Sequence, residues 1–152
     1  MVELDRLATI GGEWAGDNRV LLPGEPPHES ASTACLTVAR NKRSFSLIYT
    51  WAFDGEPHDG VLVYVLADDG ESVQAAFIDT WHMAGQIMLC QGVAEATSVF
   101  DVRGAYAVPG NPDWGWRIVL EVGNDSLRLT MYNVTPDGQE FLGVETNLTR
   151  QK

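Results

Sequence analysis

Five tight-turn signatures punctuate this chain at short intervals and constrain its fold more than any other feature. Asn41-Lys42, Asp54-Gly55, Asp69-Gly70, Gly123-Asn124-Asp125 and Asp137-Gly138 separate runs of alternating apolar and polar residues. Residues that tolerate positive φ, placed between such runs, mark tight hairpins. The pattern predicts ten strands, at approximately 12–22, 30–40, 44–54, 60–68, 72–81, 86–92, 96–107, 114–123, 126–134 and 139–150. Strands joined this closely pair antiparallel, and no long crossover is visible. The expected fold is all-β, a single antiparallel up-and-down β-barrel of about ten strands, with residues 1–152 as one domain. Closure into a barrel also removes exposed sheet edges. Leu4, Leu7, Ala8 and Ile10 are spaced for one short helical turn before the first strand, with its apolar face as a plug.

Alternation assigns the faces. Trp114, Trp116, Ile118, Leu120 and Val122 share one side of their strand, and Leu127, Leu129 and Met131 share one side of the next. Phe45, Leu47, Tyr49, Trp51 and Phe53 form a third set, and Leu142, Val144, Leu148 and Arg150 a fourth. The run 61–66 is apolar on both faces, so alternation does not orient it. Gly12-Glu13-Trp14 opens the first strand and Arg150 ends the last. In a closed barrel these strands are neighbours, and the Arg150 guanidinium can lie over the Trp14 ring as a cation on a π face. Gly12, Trp14 and Arg150 are therefore the expected closure residues.

Charge narrows the partners. Asp and Glu number 21 against 10 Lys and Arg, a formal charge of −11. A nucleic-acid surface needs clustered bases, and the only cluster, Arg40-Asn41-Lys42-Arg43, is a turn. No apolar run approaches the length of a membrane span. The start Met1-Val2-Glu3-Leu4-Asp5 lacks the basic and apolar segments of a secretory signal, which predicts a cytoplasmic protein. Cys35 and Cys90 are then expected as two buried free thiols.

Gly12-Glu13-Trp14 with a terminal-strand Arg150 and ten even strands resembles the calycin superfamily of lipocalins, fatty-acid-binding proteins and relatives. The chain is similar in particular to a bacterial family of calycin-like domains of unknown function. That resemblance rests on Leu7 followed by Gly12-Glu13-Trp14-x-Gly16, on Ile78-Asp79-Thr80-Trp81-His82-Met83, and on Asp137-Gly138-Gln139-Glu140 leading to Glu145 and Thr149-Arg150. It implies a lipocalin-like barrel and no particular activity. The chain lacks the helix that follows a lipocalin barrel. Where fatty-acid-binding proteins insert a helix pair, it has only Pro23-Gly24-Glu25-Pro26-Pro27-His28. The haem-binding nitrobindin-like barrels share the Gly12-to-Gly16 opening but use a late His as axial ligand. No His follows His82 here, and no cofactor is expected.

In an up-and-down order the connections after odd-numbered strands gather at one end. All seven prolines and all three histidines fall in that group, whereas the even connections are short and lie beside Trp14 and Arg150. This places a binding entrance at the proline-rich end. The expected ligand is a small hydrophobic or aromatic molecule, held by Tyr49, Trp51, Asp79, Trp81, His82, Trp114, Trp116 and Met131. The alternatives are a haem-binding barrel of the nitrobindin-like kind, as the resemblance implies, and an enzyme, an isomerase or hydrolase, with Asp79 as a general base of raised pKa among aromatics and His82 as its partner. Against it stands a buried Asp79 that merely satisfies Arg, Tyr or Trp donors. His28, His58 and His82 are weak candidates for a metal, because they sit in polar turns without short ligand spacing, and no metal is expected. A further possibility is a homodimer formed through a barrel flank or the two-faced run 61–66.

Overall fold

The computed structural model describes residues 4–96 and 98–152; of Leu4, only the backbone is described. Ten antiparallel strands close into an up-and-down barrel in which each strand pairs with its sequence neighbours and β1 pairs with β10. They are β1 (Gly12–Val20), β2 (His28–Val38), β3 (Ser44–Phe53), β4 (Glu56–Leu66), β5 (Ser72–Asp79), β6 (Met88–Glu95), β7 (Val99–Val108), β8 (Asn111–Val122), β9 (Ser126–Val134) and β10 (Glu140–Arg150). A one-turn helix, α1 (Leu4–Leu7), precedes them. Turn chemistry sets the connections. Asp54 and Gly55 both take positive φ, 48° and 85°, as a two-residue turn matched to strand twist requires. Asp69 receives the amides of Glu71 and Ser72 and the Ser72 hydroxyl, which hold its pKa down at about 2.

Closure occurs at the residues that signalled it. Trp14 stands opposite Arg150 in the β1–β10 ladder, and the guanidinium carbon lies 4.5 Å from the ring centroid. The same guanidinium donates to the carbonyls of Gly11 (2.9 Å) and Thr9 (2.8 Å), so it ties the segment after α1 to the end of β10. Gly12 takes φ 128°, where side chains are rarely found. Gly16 allows β10 to approach, since a Cβ there would stand 2.0 Å from the Asn147 carbonyl oxygen. Leu7 and Ile10 are buried beneath this floor, whereas Ala8, expected in the plug, is exposed.

The interior above the floor is filled. Trp14, Phe45, Leu47, Leu62, Tyr64, Phe100 and Ile118 are all within 2% of full burial. Phe45 packs on Tyr64 and Phe100 with centroids 4.8 and 5.0 Å apart. The ambiguous run 61–66 is oriented by Leu62, Tyr64 and Leu66 facing inward and Val63 and Val65 outward. Its neighbour Gly60 decides the phase, because a Cβ there would lie 2.0 Å from the Tyr49 ring.

Several local expectations are corrected. β2, β4 and β8 begin earlier than 30, 60 and 114, so His28, His58 and Pro112 lie in strands rather than turns. The strand expected to begin at 96 begins at Val99, and Thr97 lies outside the described residues. Leu142 does not share the inner face with Val144. A bulge at Gly143 shifts the register, and Leu142 pairs with Tyr132 on the outer side, where Tyr132 lies under the Arg117 guanidinium. Cys35 is exposed on β2 and only Cys90 is buried; both are free thiols.

Candidate ligand-binding site

Asp79 is the last residue of β5, and its carboxylate organises the connection that follows. It is 1% exposed and accepts four hydrogen bonds. The Tyr49 hydroxyl (2.7 Å) and the Trp51 indole N–H (3.2 Å) donate to Oδ2, and the backbone amides of Trp81 and His82 (2.8 Å each) donate to Oδ1. A carboxylate offers about four lone-pair sites, so these donors occupy it fully. Its backbone carbonyl receives the amides of Met83 and Ala84 (3.0 and 3.2 Å). Asx-type capping of this kind winds the chain into a compact turn. Ala84 and Gly85, at φ 45° and 88°, then reverse it toward β6. Thr80 fixes the outer side of the turn, accepting the Asp59 amide (3.1 Å) and bonding His58 Nδ1 (2.9 Å).

The turn carries an aromatic layer across the end of the barrel remote from Trp14. Trp81 stacks on Phe53 with centroids 5.0 Å apart. His82 lies against three indoles: parallel to Trp51 at 5.3 Å, edge-on to Trp81 at 4.8 Å and tilted on Trp116 at 5.4 Å. Burial pushes the His82 pKa below its ordinary 6.5, and nearby His58 adds to this, while Asp79 opposes it. The imidazole is therefore neutral at pH 7.

Beneath this layer is a pocket of about 510 Å³. Val20, Leu21 and Leu22 enter it from β1 and its following connection, and Trp81, His82, Met83, Ala84 and Gln86 from the β5–β6 connection. Phe77, Met88 and Trp116 supply the strand walls, and Tyr106, Ala107, Asn133 and Gly143 complete the far side. Tyr106 donates its hydroxyl proton to Asn133 Oδ1 at 2.6 Å.

The site residues expected from the sequence divide accordingly. Trp81, His82 and Trp116 line the pocket together. Tyr49, Trp51 and Asp79 stand behind it as the hydrogen-bonded support of the turn. Met131, 1% exposed, belongs to the packed interior, and half-buried Trp114 lies outside the lining. Asp79 and His82 meet through the His82 backbone amide, and only the His82 side chain lines the pocket. The three histidines have different partners in part: His28 bonds Asp54 (2.8 Å), His58 bonds Thr80 and packs on Trp51, and His82 packs on that indole and two others. Among the described residues no three His, Cys, Asp or Glu side chains are grouped to hold a metal ion. Asn133 was legible and missed, since it continues the inward alternation of Leu127, Leu129 and Met131. Gly143 had no such signal, because its place follows from the bulge.

Fold and site together define a closed ten-stranded barrel with a packed floor and, at the opposite end, a pocket with aromatic walls and several uncharged polar groups. The chain belongs to the family described as protein of unknown function (DUF1579), whose model matches residues 3–150. Among solved structures it is similar to the crystal structure of Rv2717c from M. tuberculosis, at 15% identity and a TM-score of 0.72, over 98% of this chain and 97% of the other. At that identity the likeness speaks for the fold alone. A search of curated proteins finds no match. Among the described residues no helix is long and apolar enough to cross a membrane.

Proposed function

We propose that this chain is a cytoplasmic, calycin-like binding protein that holds a small hydrophobic or aromatic molecule, with the whole chain acting as one barrel unit. The observation that carries this reading is the 510 Å³ pocket between Phe77, Trp81, His82, Met88 and Trp116. Its size falls within the range of small-molecule sites, and its aromatic walls with uncharged polar groups suit such ligands. The aromatics supply affinity, and His82 with the Tyr106–Asn133 pair orients the molecule. Haem suits the site less well. His82 offers an imidazole, but among the described residues no Lys or Arg lines the pocket to receive propionates.

A thermal-shift screen of uncharged aromatic compounds, followed by native mass spectrometry, tests the proposal. A ligand at a hundred times its Kd stabilises by about 2.7 kcal/mol, or about 5–10 °C in a chain of this size. Gly143→Val is the control. A Cβ at that position would stand 3.4 Å from Asn133 Nδ2 and 3.6 Å from Trp116 Cη2, so the larger side chain narrows the pocket between the amide and the indole. The shift should shrink in this variant. A ligand bound equally well by both proteins refutes the assignment to this pocket.

A second reading, as an interaction module, draws on the outer face. Ile48, Val61 and Ile78 are ladder neighbours across β3–β5, and Ile48 and Ile78 are exposed. A second copy meeting this row would form a homodimer. Light scattering tests it, and a monomer at millimolar concentration counts against it.

A further inference from the structure

The lining of the pocket is chemically specific in a way that apolar character alone does not describe. The chain carries 21 acids and 10 bases, yet among the described residues no Asp, Glu, Lys or Arg side chain lines the pocket. The buried acid nearest to the aromatic layer, Asp79, is held by its four donors and stays outside the lining. An ion moved from water into such a site finds no counter-charge and loses its hydration. Carboxylate and phosphate groups are disfavoured, and an ammonium finds the Trp81 and Trp116 rings already packed against Phe53, Phe77 and His82.

The polar group on the far wall has a defined polarity. Asn133 stands beside Trp116 in the β8–β9 ladder, and both point inward. Tyr106 donates to Asn133 Oδ1, which fixes the amide and leaves Nδ2 as a donor. Nδ2 faces the gap left by the missing side chain of Gly143, with the Trp116 ring edge on the same gap. A planar acceptor fits there, its oxygen on the amide and its flat body along the indole. His82 adds no charge, being neutral through burial.

We infer that the pocket selects an uncharged, planar ligand carrying a hydrogen-bond acceptor, a carbonyl above all, which the Asn133 amide receives over Gly143. This deepens the binding reading above and rests on it.

Four matched naphthalene probes test it, with Trp fluorescence and calorimetry as readouts: acetylnaphthalene, its near-isostere ethylnaphthalene, naphthoate and naphthyltrimethylammonium. The ketone should bind about tenfold more tightly than ethylnaphthalene, as one hydrogen bond is worth. Both ions should bind more weakly than either neutral probe. Asn133→Leu should abolish the gap between ketone and hydrocarbon, whatever it does to the affinity they share. The wild-type series decides even where that variant fails to fold. If the ketone and the hydrocarbon bind equally, or if either ion binds as well as the ketone, the inference is overturned while the binding reading stands. A ketone preference that survives in folded Asn133→Leu overturns the role of Asn133. If none of the four binds, the binding reading falls and takes this inference with it.

Discussion

Replacing Asp79 by Asn separates a structural carboxylate from a reactive one. In the wild type, Oδ1 accepts two backbone amides that cannot rotate, and Oδ2 accepts Tyr49 and Trp51. Asn must keep its oxygen on the backbone pair, which places the NH2 group against Tyr49 and Trp51. The Tyr49 hydroxyl can turn and accept. The Trp51 indole has only a proton to offer and loses its acceptor. A hydrogen bond to a charged group contributes about 1.5–3 kcal/mol, and an unmet buried donor costs about 1–3 kcal/mol more. The expected loss is about 2.5–6 kcal/mol, which lowers Tm by about 5–24 °C. Urea unfolding followed by Trp fluorescence measures it. Trp51→Phe removes the stranded donor, so Asp79→Asn should cost distinctly less in that background, giving a non-additive cycle. An Asp79→Asn protein within about 1 kcal/mol of wild type would refute the four-donor account and reopen the case for Asp79 as a general base.

Two further outcomes follow from the closure and the aromatic layer. Arg150→Ala removes the cation from Trp14 and the bonds to Gly11 and Thr9, and should cost about 2–3 kcal/mol in urea unfolding; Arg150→Lys should recover only part. For His82, the folded pKa lies below the ordinary 6.5, so the unfolded chain binds the extra proton first. Its contribution to stability is complete above pH 6.5 and is lost as pH falls from there toward the folded value. Measured between pH 7.5 and 5, the slope of stability against pH should be shallower in His82→Phe, and an unchanged slope would remove His82 as its source.

The barrel was largely legible because local rules and the fold agree. Asp54-Gly55 demands a hairpin wherever it occurs, and Trp14 and Arg150 occupy the two strands that must meet. The pocket was legible only in part. Trp81, His82 and Trp116 were found through aromatic content and phase. Tyr49 and Trp51, which also face inward, instead serve Asp79 from a strand 28 to 30 residues away, and no local pattern encodes that contact. The outward turn of Leu142 depends on a bulge that alternation alone does not anticipate. Cys35 lies on the outer face because β2 alternates through it, between buried Ala34 and Leu36.

The separation of charge from the pocket has a consequence for the conditions under which the protein works. Its ion pairs lie elsewhere, on exposed or half-exposed side chains such as Arg19–Glu29 and Arg128–Glu121. Dissolved electrolyte screens exposed pairs of this kind. It has no charged acid or base to screen among the described residues that line the pocket. On the binding reading proposed above, occupancy should therefore lack the steep salt dependence of a charged site and respond to electrolyte only as apolar burial does.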